Sequence, residues 1–273
     1  MDKLIIRDLT MKDEYFVGTC SHIYESEDYD RCAEKRIEFI SKNYKKGLRV
    51  KVAIVDGEYV GFIHIIPIEF SPFGPIGENL MSIPCLFVQP NFRKKGMGTK
   101  LIKEAFKEAI KQDRNGIVTV GYSENLWFMP AEFFKKVGFK TLKVEKMKSL
   151  GEKYPNYERI LLWKTYNEDA EKPDFLKPNY EFKSIPGKVV VDVFYNTFCQ
   201  ISLIQLEKVK RVIDEFSSHI LLNLYNSDDR EILLRYQIPQ GVFINGIELG
   251  TLYGVSEYEI RKTIVKELKR FRE

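Results

Sequence analysis

The distribution of apolar and polar residues in the first half of the chain predicts strands mixed with helices. Apolar runs rich in β-branched and aromatic residues, bounded by turn residues, are typical of strands. Asp56-Gly57 lies between two such runs and predicts a hairpin turn. Residues 21–44 are very polar and are predicted to be helical. The predicted strands of this half are residues 4–10, 49–57, 58–70, 79–90, 116–123, 140–147 and 158–166.

Two further helices are predicted in this half. From residue 97 onward, apolar residues recur at helical spacing, while the lysines between them face away from the apolar side. Residues 131–139 predict a shorter helix, in which Gly138 occupies a C-cap position. The first half therefore combines helices with a sheet, which defines an α/β class.

The composition of the chain changes between residues 167 and 187, where three prolines and many charged residues occur without a periodic pattern of apolar residues. This stretch predicts a linker between a first domain at 1–166 and a second at 188–273. In the second domain, Asn245-Gly246 predicts another hairpin turn. Its predicted elements are a strand at 187–196, a helix at 203–216, a strand at 220–226, a helix at 228–236, a hairpin at 241–249 and a helix from residue 256.

Composition and charge narrow the class of protein. The chain has 273 residues, 44% hydrophobic and 30% charged, with a net charge of +4, which is too mild to indicate a nucleic-acid partner. No signal-peptide pattern or membrane-length apolar run is present, so we expect no membrane association and a cytoplasmic location. The four dispersed cysteines predict reduced thiols, and the three histidines show no metal-ligand spacing. The sequence alone does not define an oligomeric state.

An unusual cluster precedes the helix at residue 97. Three consecutive basic residues, Arg93 to Lys95, adjoin Gly96 and Gly98 at the point where the helix is expected to begin. A helix N-terminus offers unpaired N–H groups and a partial positive charge, and glycine lets an anion approach the backbone. The cluster therefore predicts a phosphate site. It is not a Walker A loop, because only GMGTK is present where G-x-x-x-x-G-K-[ST] is required, and it is not a dinucleotide fingerprint, because Leu101 replaces the third glycine.

The pattern V-x-P-x-x-R-x-x-G-x-G at residues 88–98 resembles motif A of the GNAT superfamily of N-acetyltransferases. The segment at 131–139, which ends in Gly-Phe, is similar to the fourth helix of that family. The resemblance implies a mixed, mostly antiparallel sheet flanked by helices over residues 1–166, and acetyl-CoA as cosubstrate. The residues it implies for cofactor binding are Phe87, Val88, Arg93, Lys94, Lys95, Gly96, Met97, Gly98, Thr99, Asn125 and Phe134.

The implied chemistry is direct attack of a primary amine, of a small molecule or a peptide, on the thioester. A backbone N–H near Phe87 and Val88 is expected to stabilise the oxyanion. Phe134 replaces the tyrosine that the family often uses as the general acid, and Tyr122 is the leading substitute. Tyr122 also fits a role in packing. His64 and Glu69 are expected on a strand that faces the acceptor.

The region from Val189 to the C-terminus resembles the thioredoxin fold. Cys199 is at the nucleophile position, Ser202 replaces the second cysteine, and Pro239 corresponds to the cis-proline. The combination is similar to YoaP-like acetyltransferases. We expect the helix dipole to hold the pKa of Cys199 modestly below about 8.5, against burial by neighbouring aromatic residues. The alternative is that Cys199 is a buried, inert remnant of the redox motif. Two other functions fit the sequence. One is a thiol-active redox protein in which the acetyltransferase fold only binds CoA, and the other is a non-catalytic binding module.

Overall fold

The computed structural model describes residues 3–20, 22, 25–72, 74–123, 128–147, 157–250 and 255–270. The first half forms a seven-stranded sheet with the order β1-β2-β3-β4-β5-β7-β6. Its strands are β1 (Leu4–Asp8), β2 (Arg49–Val55), β3 (Glu58–Pro67), β4 (Met81–Val88), β5 (Gly116–Tyr122), β6 (Lys140–Lys146) and β7 (Glu158–Thr165). Its helices are α1 (Glu14–Thr19), α2 (Glu27–Tyr44), α3 (Met97–Lys111) and α4 (Ala131–Lys136).

The predicted strands and most of the predicted helices are present. Asp56 and Gly57, with φ of 48° and 89°, close the β2–β3 hairpin as a turn that needs two left-handed residues. The predicted helix at 21–44 begins only at Glu27, and part of its predicted first turn lies outside the described residues. The pattern did not predict α1. Glu69 lies in a short 3-10 turn after β3, and not on the strand.

Helices cover both faces of the sheet. The apolar side of α3, including Leu101 and Ala105, packs against β3, β4 and β5 in the larger core. On the opposite face, Phe16 of α1 and Phe39 of α2 pack on Val52 and other residues of the central strands. The sheet is therefore buried between two helical layers.

One feature of the sheet opens a cleft. All its neighbouring strands pair antiparallel except β4 and β5, which are parallel. Their pairing covers only Met81–Ile83 opposite Ile117–Thr119. From Pro84 onward, the edge of β4 that faces β5 has no strand partner among the described residues.

The second half forms a four-stranded sheet with the order β11-β10-β8-β9. β8 and β9 are parallel, whereas β10 pairs antiparallel with both β8 and β11. The elements are β8 (Val189–Tyr195), α5 (Gln200–Asp214), β9 (Ile220–Asn226), α6 (Arg230–Tyr236), β10 (Gly241–Ile244), β11 (Ile247–Gly250) and α7 (Glu257–Lys269). Ser256 and Glu259 form a capping box, so α7 begins where the sequence predicts.

The predicted linker is extended but packed at both ends. Asp174 makes a β-bridge to Ile76, and Phe175 is 1% exposed within the core of the first half. Tyr180 donates a hydrogen bond to Asp192 of β8 at 2.5 Å. These contacts attach the segment to both sheets.

The two halves also contact each other directly. Phe198, which precedes α5, is 2% exposed and belongs to the apolar cluster that surrounds Phe39. The Gln200 Nε2 group donates to the Tyr29 carbonyl at 3.4 Å, and Arg230 donates to the Ser71 carbonyl at 3.0 Å. No helix of the described part of the chain is long and apolar enough to cross a membrane.

Candidate active site

A cavity of about 530 Å³ runs from the start of α3 along the free edge of β4. It continues to the end of α1 and to α2, where residues 198–201 of the second half complete its wall. Of the residues predicted to bind the cofactor, it is lined by Phe87, Val88, Arg93, Lys94, Gly96, Met97, Gly98 and Thr99. Lys95 and Phe134 do not line it, and Asn125 lies outside the described residues.

The start of α3 presents free backbone donors to this cavity. Gly96 is the N-cap residue, and no side chain in the described ranges caps the first turn. Arg93 and Lys94 lie beside these N–H groups, and the Arg93 Nε group also donates to the Val88 carbonyl at 3.0 Å. Lys95 points to Phe92 instead, with its Nζ atom 5.3 Å from the ring centroid. The arrangement has the donors and the charge that an anion needs.

Gly96 and Gly98 have different local roles. Gly96 has a φ of 80°, and a Cβ atom there would meet nothing within 4 Å, so the space above it is open. A Cβ atom on Gly98 would lie 2.9 Å from the Cζ atom of Phe133. Gly98 is therefore required for packing against α4, whereas Gly96 leaves room for a ligand at the backbone.

Backbone groups of β4 face the same cavity. The Gln89 N–H donates to the Val60 carbonyl of β3 at 2.9 Å. Because N–H groups alternate in direction along a strand, those of Leu86 and Val88 point away from β3 and toward the opening beside β5. They are the donors available to a carbonyl oxygen in the cavity.

The expectation that Phe134 faces the cofactor is wrong. Its side chain is fully buried in the larger core and packs edge-on against Phe139. The neighbouring Phe133 lines the cavity. A six-residue helix exposes only one side to the cleft, and the sequence pattern did not define which of the two phenylalanines occupies that side.

Tyr122 also lies elsewhere than expected. It lines a second cavity, of about 450 Å³, which is bounded by the second half and by the connecting segment. Pro84 and Phe128 border both cavities, so the two adjoin where β4 and β5 separate. Tyr122 packs near Phe128 and Tyr157, which favours the packing role.

A buried arginine, Arg36 of α2, lies at the inner end of the first cavity and is 3% exposed. The centre of its guanidinium group lies 5.0 Å from the ring centroid of Phe198 and 5.7 Å from that of Phe62. Its Nη2 atom is 3.5 Å from the ring nitrogens of His64, and its Nε atom has no hydrogen-bond partner among the described atoms. Burial and the Arg36 charge hold the pKa of His64 well below its usual value, so this histidine is neutral.

Two thiols meet beside Arg36. The hydrogen bond from the Cys85 thiol, aided by the charge of Arg36, lowers the pKa of Cys20 to about 5, although burial opposes this. The same hydrogen bond, together with burial, raises the pKa of Cys85. Of the two thiols, Cys20 is therefore the more acidic, and Cys85 is the one that donates the hydrogen bond. The sequence suggested only a small buried apolar role for Cys85.

Cys199 lines the same cavity from the second half, but its thiol is not activated. It is the N-cap residue of α5, and burial raises the pKa of its thiol, which outweighs the backbone hydrogen bonds. The expected lowering is thus wrong. Ser202 accepts a hydrogen bond from the Asn196 N–H at 2.9 Å. The expected cis bond at Pro239 is also wrong, because the described residues contain no cis peptide.

The remaining polar candidates are engaged elsewhere. Glu69 pairs with Arg114 at 3.0 Å and accepts a hydrogen bond from the Asn79 N–H. Within the ranges that the structure describes, no group of three or more His, Cys, Asp or Glu side chains is arranged to hold a metal ion.

The centre of this site lies in a segment that is similar to known proteins. Residues 46–141 match the family model described as an acetyltransferase (GNAT) domain, which contains β4, α3 and α4. The match is confined to this segment and includes the predicted anion site at the start of α3. An N-acetyltransferase of Archaeoglobus fulgidus, described as uncharacterized, is 41% identical over 81 residues. That alignment covers 27% of this chain and spans about half (52%) of the length of the curated relative.

Several solved structures are similar to part of the chain. A ribosomal-protein-alanine N-acetyltransferase of Brucella melitensis is 19% identical, with 59% of this chain and 99% of that chain covered and a TM-score of 0.46. A Salmonella typhimurium protein solved with its cofactor acetyl-CoA is 14% identical, with coverages of 62% and 96% and a TM-score of 0.48.

Proposed function

We propose that the protein is an acetyl-CoA-dependent N-acetyltransferase that acts on a primary amine of a small molecule or peptide. The observation that carries this proposal is the single cavity that joins the uncapped start of α3 to the free edge of β4. The match of residues 46–141 to an acetyltransferase domain supports it.

The residues present fit acetyl-CoA. The backbone donors of Met97, Gly98 and Thr99, with Arg93 and Lys94, would hold the pyrophosphate at the start of α3. The open edge of β4 would take the pantetheine arm, and the cavity of about 530 Å³ has room for it. When bound, acetyl-CoA supplies an acetyl group activated as a thioester.

The chain contributes orientation and backbone donors more than acid–base side chains. The Val88 and Leu86 N–H groups would polarise the acetyl carbonyl as the amine attacks it directly. The low pKa of His64 makes it a weak base, so the amine arrives neutral or loses its proton to water. CoA can leave as a thiolate, because a thiol pKa near 8.5 makes it a tolerable leaving group.

We further propose that residues 188–273 form a thioredoxin-like accessory domain, joined by the linker at 167–187 to a domain at 1–166. The strand order, with the parallel β8–β9 pair inside it, supports this proposal, as does the place of Cys199 between β8 and α5. This combination of an acetyltransferase domain with a thioredoxin-like domain is that of the YoaP-like acetyltransferases. Because residues 198–201 line the first cavity, we assign the second domain the role of completing the acceptor site.

The test is an acetyl-transfer assay on the full chain. Purified protein is incubated with acetyl-CoA and a panel of primary amines, and products are identified by mass spectrometry. We expect an acetylated amine together with stoichiometric release of CoA. CoA release without any acetylated amine, or binding of acetyl-CoA without turnover, would contradict the proposed activity.

A further inference from the structure

The acetyl-transfer proposal does not use the thiol pair at the inner end of the cavity. Cys20 follows α1 as its C-cap, and Cys85 lies on β4, but Cys20 packs against the apolar cluster that contains Cys85, and the two thiols are hydrogen-bonded. Both line the first cavity, where Cys20 is partly exposed and Cys85 is buried. A reagent that enters the cavity therefore reaches Cys20 first.

The surroundings of Cys20 favour the thiolate. Arg36 is buried beside it, and the largest charge interactions of its guanidinium group are with Cys20, Cys85 and Cys199. A buried cation without a carboxylate is costly unless another anion lies next to it. The Cys20 thiolate supplies that anion. Phe198 of the second half packs over Arg36, with its ring centroid 5.0 Å from the centre of the guanidinium group.

The backbone at Cys20 is also unusual. Its φ of 57° and ψ of −117° lie in a region that favours glycine. Such conformations persist where surrounding contacts hold them, and they occur often at functional sites. The conformation holds Cys20 against Cys85 and Arg36 at the inner end of the cavity.

We propose that Cys20 and Cys85 form a peroxide-reactive thiol pair, in which Cys20 is oxidised first and Cys85 resolves it to a disulfide. The Cys20 thiolate attacks one oxygen of a hydroperoxide, the O–O bond breaks, and the other oxygen leaves as hydroxide or alkoxide. Sulfur is oxidised by two electrons to the sulfenic acid. Cys85 then attacks that sulfur, forms the S–S bond and displaces hydroxide, which takes up the Cys85 proton to give water.

The order of these steps follows from the site. Accessible thiolates beside a resolving cysteine are the thiols that oxidants reach first. Cys85 stays protonated while it donates to the Cys20 thiolate, and oxidation of Cys20 removes that anion. Cys199 lines the same cavity and faces Cys20, but burial raises the pKa of its thiol, and Ser202 replaces the second cysteine of its own motif. The pair is thus distinct from the degenerate motif of the second half.

The first measurement is the chemistry at each sulfur. The full chain is treated with hydrogen peroxide, blocked by alkylation and digested, and its cysteines are mapped by mass spectrometry. We expect a Cys20–Cys85 disulfide in the wild type and a Cys20 sulfenic acid, trapped by dimedone, in Cys85→Ser. Cys32→Ser is the matched control and should leave the disulfide unchanged. A disulfide that joins another pair, or a reduced Cys20 beside other oxidised cysteines, would overturn the proposal.

The second measurement uses only the wild-type protein, so it does not depend on whether a variant folds. The rate of Cys20 alkylation is followed by mass spectrometry between pH 6 and pH 8. The titratable groups that face Cys20 are Cys85, Arg36, His22 and Cys199. We expect the alkylation rate of Cys20 to change by no more than about threefold over this pH range. The alkylation rate of a thiol with an ordinary pKa would rise ~100-fold over the same range. A rise of that larger size would overturn the proposal. Neither measurement depends on acetyl transfer.

Discussion

Asp13 is a buried carboxylate near the start of α1, and its partners define a testable pH dependence. It accepts hydrogen bonds from Arg7 Nη2 at 2.9 Å and from the Thr10 N–H at 2.7 Å. Burial alone would raise its pKa, but these partners lower the pKa from 3.8 to about 2. Since the folded-state pKa lies below the unfolded one, this contribution to stability is full above about pH 4 and is lost as the pH falls toward 2.

Asp13→Asn should therefore lower the free energy of unfolding at pH 7 by roughly 2 kcal/mol. The variant should lose less stability than the wild type when the pH is taken from 5 to 3. Urea unfolding at both pH values measures the effect. Glu27→Gln is the control, since its side chain is 96% exposed. Equal stability losses in the two variants at pH 7 would refute this assignment.

At the scale of single residues, the sequence defined some site residues and missed others. Arg93, Lys94 and Gly96 could be assigned because their spacing at a helix start has a local physical meaning. Phe134 could not, because its burial depends on how α4 packs on the core. Cys20 and Arg36 were missed for a similar reason: their contact arises only when α1 and α2 pack on β4. A cysteine three residues after a phenylalanine-valine pair carries no local signal of this kind.

The start of α3 supports a prediction at the scale of an element. Lys94→Gln should weaken CoA binding about fivefold, which is ~1 kcal/mol, because it removes a positive charge beside the unpaired N–H groups. Lys94 is exposed, so the thermal stability should change little. Calorimetric titration with CoA measures the affinity.

The matched control is Lys103→Gln on the same helix, because Lys103 is exposed and does not line the cavity. Its affinity for CoA should equal that of the wild type. If both variants weaken binding equally, the effect is a general change of net charge and not the anion site at the start of α3.

Elements were predictable where a local rule determined them. Asn245 and Gly246, with φ of 47° and 79°, close the β10–β11 hairpin as their sequence predicts. Helix α3 begins at Met97, directly after the basic cluster. The short α1 was missed because six residues provide too little periodicity. The separation of β4 from β5 is also invisible in the pattern, because it depends on pairing between strands that α3 separates in sequence.

At the scale of the molecule, the contact between the two halves centres on Phe198. This side chain is 2% exposed and packs against Phe39 and His64, with ring centroids 5.6 and 5.0 Å away. Phe198→Ala should remove several kcal/mol of packing, since replacing a buried phenylalanine by alanine costs about 3–5 kcal/mol, including the cavity that it leaves. We expect Cys199 alkylation in the folded protein to become at least about tenfold faster, because each 1.4 kcal/mol of lost contact energy is a factor of ~10 in local opening.

Leu224→Ala on β9 is the control, since Leu224 is 43% exposed. It should leave the alkylation rate of Cys199 unchanged. If Cys199 is alkylated at the same rate in Phe198→Ala as in the wild type, Phe198 does not hold the two halves together.

The sequence predicted two units and a linker. Its apolar patterns describe the faces within each unit, but they carry no information on which faces of the two units meet.

The central claim is that acetyl-CoA occupies the cavity between the start of α3 and the edge of β4. Amide hydrogen exchange of the full chain, with and without acetyl-CoA, tests this most directly. We expect slower exchange in peptides that cover residues 84–99, which include the end of β4 and the first turn of α3. We expect no change in β9 and α6, which lie away from the first cavity. Unchanged exchange at 84–99, or protection confined to residues around the second cavity, would contradict the claim.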